Sequence, residues 1–185
     1  ANSAIDTDKV GSGAINTGKI ALGAVNTANV AGGITLTTPN LVGVIDASNA
    51  SAGSVGEVAS ATLGGAQTPG ASTTVVAIAT MSLTAGDWDI FGTVAFLAGA
   101  TTAASQIYGG ISTSNSSLDT FSAGNAAVIS QTFAASVENS FSVGSRRVSI
   151  SATTTYYLVA SMTYPTLGGA SWVAGESFMR ARRMR

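Results

Sequence analysis

The chain has 185 residues, a formal net charge of −1 at pH 7, and 45% hydrophobic against 9% charged residues. This balance predicts a folded protein and gives no electrostatic reason to expect nucleic acid as a partner. Cysteine and histidine are both absent, which excludes disulfides, thiol nucleophiles, histidine general bases and most zinc sites.

The first thirty residues repeat a ten-residue pattern three times, with aliphatic residues in the same two places of each copy. A fixed period is typical of architectures in which each unit buries its apolar side only against a neighbour. Because one decad offers few apolar side chains, we expect three parallel copies of the chain to intertwine as a β-repeat shaft over residues 1–33. The residues predicted to form this trimer core are Ile5, Val10, Ile15, Ile20, Val25 and Val30.

Residues 34–56 are predicted as a connector because they end in the Ser-, Asn- and Gly-rich stretch DASNASAGSVG. Every aromatic residue follows, from Trp88 to Phe178, and aromatic side chains dominate protein cores. The thick core is therefore predicted within residues 57–185. Helix formers are scarce there, and β-forming segments between turn residues predict strands at 57–63, 73–83, 87–97, 105–112, 126–135, 137–143, 147–151, 155–164 and 171–182.

Two-residue alternation in these segments indicates sheets with one buried face. Trp88, Ile90 and Phe96 share one face of their strand, and Phe91 on the opposite face is a candidate subunit contact. Many short strands bounded by turns predict an all-β, antiparallel sandwich of the jelly-roll type. The chain contains no run of eighteen apolar residues, so the sequence predicts no membrane-spanning segment.

Asp87 and Asp89 are the one carboxylate pair inside a predicted strand. Their spacing would put both carboxylates on one face, and a glycosidase needs two carboxyl groups flanking a sugar site. The interpretation we favour is that Ala-Gly-Asp forms a turn leading into the strand. Asp119 and Glu138 could complete a catalytic site only through folding, and neither a metal site nor a cofactor is predicted.

Most of the eight positive charges fall in two arginine groups, Arg146 with Arg147 and, at the C-terminal end, Arg180, Arg182, Arg183 and Arg185. A functional interpretation makes them an anion-binding patch, with Arg182 and Arg183 as its candidate residues, because guanidinium groups bind carboxylate and phosphate oxygens. The alternative, which we favour, pairs some of them with acidic side chains and leaves the rest in solvent.

Trp172 and Tyr108 lie beside glycine-rich turns and are candidate sugar-binding residues, since sugars stack on aromatic faces. For Trp172 the alternative is burial in the core of the sandwich.

Several stretches resemble known proteins. The decads, of the form A-I-x-T-x-K-I/V-A/G-x-G, look like shaft repeats of bacteriophage fibre proteins. The stretch AGDWDIFG at 85–92 is similar to the C-terminal knob of head-fibre or tail-fibre proteins, together with residues 111–113, 147–150, 155–160 and 181–185. The resemblance implies a homotrimer with a distal, C-terminal knob that contacts the host surface, and it supplies no catalytic residues.

The sequence thus predicts a non-enzymatic virion protein of a tailed phage. Its N-terminal side would attach to capsid or tail proteins, and its knob would bind host surface polysaccharide, with no nucleic acid and no membrane insertion involved. Two alternatives stay open: a capsid decoration fibre without receptor function, and a fibre tip that degrades glycans.

Overall fold

The computed structural model describes residues 48–101, 104–118 and 125–184. The predicted shaft, with Ile5, Val10, Ile15, Ile20, Val25 and Val30, lies outside these residues, as do most of the connector, Asp119 and Arg185. The expectations that concern these residues therefore remain predictions. The described residues all belong to one compact unit.

The described part of the chain is built from antiparallel strands and contains no helix. Its strands are β1 (Val58–Thr62), β2 (Val76–Leu83), β3 (Gly86–Leu97), β4 (Gln106–Ser112), β5 (Ala126–Ser130), β6 (Glu138–Ile150), β7 (Thr154–Thr163), β8 (Ser171–Trp172) and β9 (Phe178–Arg183). One sheet has five strands in the order β1-β9-β3-β6, with β8 also paired to β3; the other has four strands in the order β2-β7-β4-β5. The predicted all-β class with antiparallel pairing is confirmed.

The inward faces of the two sheets share one hydrophobic core. Alternation on β3 places Trp88, Ile90, Val94 and Phe96 in this core, each no more than 1% exposed. At one end, Phe96 meets Phe133 edge to face with ring centroids 4.8 Å apart, an arrangement that aromatic quadrupoles favour.

Gly109 of β4 lets the sheets approach each other closely. A Cβ atom there would lie 2.8 Å from Val94 Cγ2 and 3.0 Å from the ring of Phe141, both on the opposite sheet. A larger residue would therefore force the sheets apart at their centre.

Three predicted strand boundaries were wrong. The predicted strand 126–135 is shorter in the structure, where β5 ends at Ser130. The segments 137–143 and 147–151 form the single strand β6, because Gly144 starts a bulge and not a turn: Arg146 pairs with Ile90 and Val143 with Gly92, which leaves two residues opposite Phe91. The segment 171–182 is two strands, β8 and β9, separated by a turn in which Gly175 has φ of +78°.

Candidate interaction surfaces

Arg183 lies between the sheets and not on the surface. Its side chain is 5% exposed, and its Cζ lies 4.3 Å from the centroid of the Trp88 ring. Nε donates to Glu57 Oε2 at 2.8 Å, Nη1 to the carbonyl of Ala85 at 2.7 Å, and Nη2 to Thr84 Oγ1 at 2.6 Å. The prediction that Arg183 binds an external anion is therefore wrong, because its donors already join β9 to β1 and to the β2–β3 turn.

Gly86 makes room for this guanidinium. Its φ is +148°, and a Cβ atom there would lie 1.8 Å from Arg183 Nη1. Residue 86, the first of β3, must therefore be glycine for the arginine to reach its partners. We call this steric fit of Gly86 and Arg183 the lock.

The carboxylate of Glu57 is held in its ionised form. The backbone N–H of Gly53 donates to Glu57 Oε2 at 2.7 Å, and Arg183 donates to the same oxygen. These interactions, the Gly53 bond foremost, lower the pKa of Glu57 below its ordinary value of 4.5.

Asp87 is bound by Arg147 through both carboxylate oxygens. Arg147 Nε and Nη2 donate to Oδ1 and Oδ2, each at 2.8 Å, and the Asp87 side chain is only 6% exposed. The bond to Asp87, assisted by the charge of Asp89, raises the pKa of Arg147. The bidentate pair favours the structural interpretation of the two aspartates over a catalytic one.

Arg146 connects β6 of the five-stranded sheet to β4 of the four-stranded sheet. Its Nη1 donates to the carbonyl of Ile111 in β4 at 2.8 Å, and its Cζ lies 5.6 Å from the centroid of the Tyr156 ring. The same carbonyl accepts a bond from Asn125 Nδ2 at 2.7 Å. Three arginines of the predicted anion patch, Arg146, Arg147 and Arg183, therefore have structural partners.

The remaining described arginines, Arg180 and Arg182, lie on the outer face of the five-stranded sheet. Both are exposed and form no ion pair with any described residue. Arg180 stacks on the Phe178 ring at 5.3 Å and stands opposite Phe91, which is 43% exposed. We call this surface the charged face; it comprises Asp89, Phe91, Arg147, Phe178, Arg180, Arg182 and, at its edge, Val58 and Ser60 of β1.

The two predicted sugar-binding aromatics lie far from this face. Trp172 is fully buried in the core, so the prediction that its ring meets a sugar is wrong and the alternative, burial, is correct. Its indole N–H has no hydrogen-bond partner among the described residues.

Tyr108 is half-buried on the outer face of the four-stranded sheet. It lines an open cavity of about 280 Å³ together with uncharged residues of β4 and β7, the segment before β2, and Leu118. The structure therefore separates Tyr108 from Arg182, and the predicted binding residues do not form one site.

The outer face of the four-stranded sheet, which we call the uncharged face, was missed by sequence reasoning. Strands β2, β4, β5 and β7 contain no Asp, Glu, Lys or Arg. The absence of charge in these four segments is visible in the sequence, but only the strand order shows that they are neighbours.

A pair of acidic side chains lies at the end of the five-stranded sheet. A hydrogen bond with Glu176 raises the pKa of Glu138 above its ordinary value of 4.5, because two close carboxylates share a proton more readily than they ionise together. No group of three or more acidic side chains among the described residues is arranged to hold a metal ion.

No protein-family model and no curated protein sequence matches the chain. Among solved structures it is similar to the T13 particle of infectious bursal disease virus, with 9% identity over 69% of this chain and 31% of that one and a TM-score of 0.43. It is similar also to the VP2 subviral particle of that virus, with 10% identity over 69% and 33% and a TM-score of 0.43. The chain spans about a third of the length of those proteins. Within the described residues, no helix is long and apolar enough to cross a membrane.

Proposed function

We propose that the chain is a structural fibre protein of a tailed bacteriophage virion. Three copies would intertwine over residues 1–33, attach to other virion proteins on their N-terminal side, and carry the β domain as a distal, jelly-roll-like knob. The observation behind this proposal is the order of parts: three matched decads with a thin apolar content, followed by a compact two-sheet unit with its own core. A thin repeat needs neighbouring chains for burial, whereas the knob does not.

The charged face is the part of the knob best suited to host contact. Arg180 and Arg182 present guanidinium groups that fork onto carboxylate or phosphate oxygens, and the exposed ring of Phe91 offers a stacking surface for a sugar. These features fit an acidic polysaccharide of the bacterial surface. Three knobs per fibre would convert weak single contacts into stable adhesion through effective concentration.

The arrangement of Asp87 supports a structural role for the knob and not glycan hydrolysis. A general acid or nucleophile must be reachable by the substrate, and both oxygens of the Asp87 carboxylate are bound by Arg147.

The test compares adsorption of virions that carry the Arg180→Gln/Arg182→Gln double variant with that of wild-type virions. We expect slower adsorption and a weaker dependence on salt, because screened charge–charge attraction would be lost. A Thr132→Gln variant, exposed in the segment between β5 and β6 and not part of the charged face, is the matched control and should adsorb normally. Unchanged adsorption of the double variant would instead indicate a decoration fibre without receptor function.

A further inference from the structure

Charge is divided unevenly between the outer faces of the knob. The charged face carries arginines and aspartates in adjacent strands, whereas four neighbouring strands of the other sheet carry none. A solvent-exposed surface usually carries interspersed charges of both signs. Among the described residues, the four strands of this face carry no charge, as is typical of a surface that another protein covers.

The polar groups of the uncharged face bond to one another across strands. The hydroxyl groups of Ser82 and Thr155 lie 3.2 Å apart, and Gln106 Nε2 donates to Ser130 Oγ at 2.8 Å. Because these groups already have partners within the chain, covering them costs little desolvation free energy. The face also exposes Val128, which is 42% accessible.

The centre of the uncharged face is already closed to water. Val159 points outward from β7 but is fully buried, and Leu118 lies over its neighbour Gly110, 3.0 Å from where a Cβ would stand. The cavity lined by Tyr108 opens beside Leu118. Side chains of a partner protein typically pack against such an apolar centre and into an adjoining cavity.

We infer that the uncharged face is the contact between the knobs of neighbouring copies of this chain. The inference rests on the proposed trimer and states which of the two faces joins its knobs. Three copies can meet through a face without charge at no electrostatic cost, whereas meeting through the charged face would bring the Arg180 and Arg182 side chains of all copies together. Interface cores are depleted in charge and enriched in tyrosine, and Tyr108 and Tyr157 both lie on the uncharged face.

This assignment leaves the charged face on the outside of the trimer, where the proposed host contact needs it. It also moves Tyr108 from a candidate sugar ligand to a subunit contact. The exposed Phe91, the subunit contact that the sequence suggested, would face outward.

The absence of cysteine in the chain allows a direct test by single-cysteine labelling of the full-length protein with a maleimide. Thr80→Cys and Val128→Cys place the thiol on opposite edge strands of the uncharged face, while Ser142→Cys and Ser60→Cys place it on strands that flank the charged face. All four positions are exposed in the single chain. Sedimentation of each variant reports its oligomeric state.

In the assembled protein we expect Thr80→Cys or Val128→Cys to label at least about tenfold more slowly than the two controls, and all four to label equally in denaturant. Loss of the trimer in the Thr80 or Val128 variant alone would support the same contact. Equal labelling of all four within a stable trimer would overturn the inference while the fibre proposal stands. A wild-type chain that sediments as a monomer would overturn both.

Discussion

The lock between Gly86 and Arg183 makes the sharpest stability prediction. In Gly86→Ala, the new methyl group would occupy a position 1.8 Å from Arg183 Nη1. The guanidinium must then move, and it loses its bonds to the carbonyl of Ala85 and to Thr84, together with its ion pair with Glu57.

Two costs combine in this variant. A non-glycine residue held at φ of +148° is strained by about 1–3 kcal/mol. Breaking a buried ion pair costs about 3–5 kcal/mol, and the lower end applies here because the Glu57 side chain is 17% exposed. The lower ends of these ranges give a loss of about 4 kcal/mol in the free energy of unfolding. Since a domain is typically stable by about 5–15 kcal/mol, this is a large fraction of the total.

The assay is urea unfolding at fixed protein concentration, followed by the fluorescence of the two tryptophans, Trp88 and Trp172, which are both buried in the folded protein. Gly175→Ala is the matched control, because Gly175 also has a positive φ, +78°, but no atom lies within 4 Å of its Cβ position. We expect this control to lose only the backbone term, about 1–3 kcal/mol.

Equal losses in the two variants would refute the steric lock. A double-mutant cycle sharpens the test: Gly86→Ala should cost less in an Arg183→Ala background than in the wild type, because the atom that the new methyl group strikes is gone. A Gly86→Ala cost that is unchanged in that background would show that the strain lies in the backbone alone.

Three further outcomes are expected. The lowered pKa of Glu57 means that its stabilisation is present above pH 4.5 and is lost as the pH falls through the folded-state value, so urea midpoints of Glu57→Gln should show a shallower decline in acid than wild type. The raised pKa of Glu138 has the opposite effect on stability. The folded state is stabilised at low pH, and this stabilisation is lost as the pH rises through the raised pKa. Glu176→Gln should therefore raise the urea midpoint at neutral pH but not at about pH 4, and an equal gain at both would contradict the carboxylate pair. Gly109→Val should lower the melting temperature more than Gly64→Val, because only the former meets the facing sheet within 3 Å.

The sequence was sufficient to predict the fold class and the inner face of β3. From Trp88 to Phe96, apolar side chains alternate along the strand, so its apolar side must face the core. The structure buries Trp88, Ile90, Val94 and Phe96 there. The predicted break between residues 143 and 147 was wrong because a glycine between β-segments, here Gly144, indicates a turn or a bulge equally. The bulge at Gly144 also shifts the alternation by one residue, so that Ser142 and Arg147 share the outer face although an odd number of positions, five, lies from one to the other.

The candidate surfaces were less accessible to sequence reasoning, because they depend on which strands become neighbours. The charged face joins β6, β3 and β9, which are far apart in the chain. Whether Trp172 is buried could not be predicted for a similar reason. Its two-residue strand is buried by pairing with β3 and by a bridge to Gln67, and both partners are distant from it in the sequence.

The C-terminal arginines show why a cluster of like residues need not form one site. Along β9 successive side chains point to opposite sides of the sheet, so Arg182 faces solvent while Arg183 enters the core and binds Glu57. Arg180 and Arg182 share the outer side, together with Phe178. The same six-residue strand thus supplies both a structural lock and the cations of the charged face. It follows that a charge deletion at Arg183 should act on stability and one at Arg182 on adsorption, although the two residues are adjacent in the sequence.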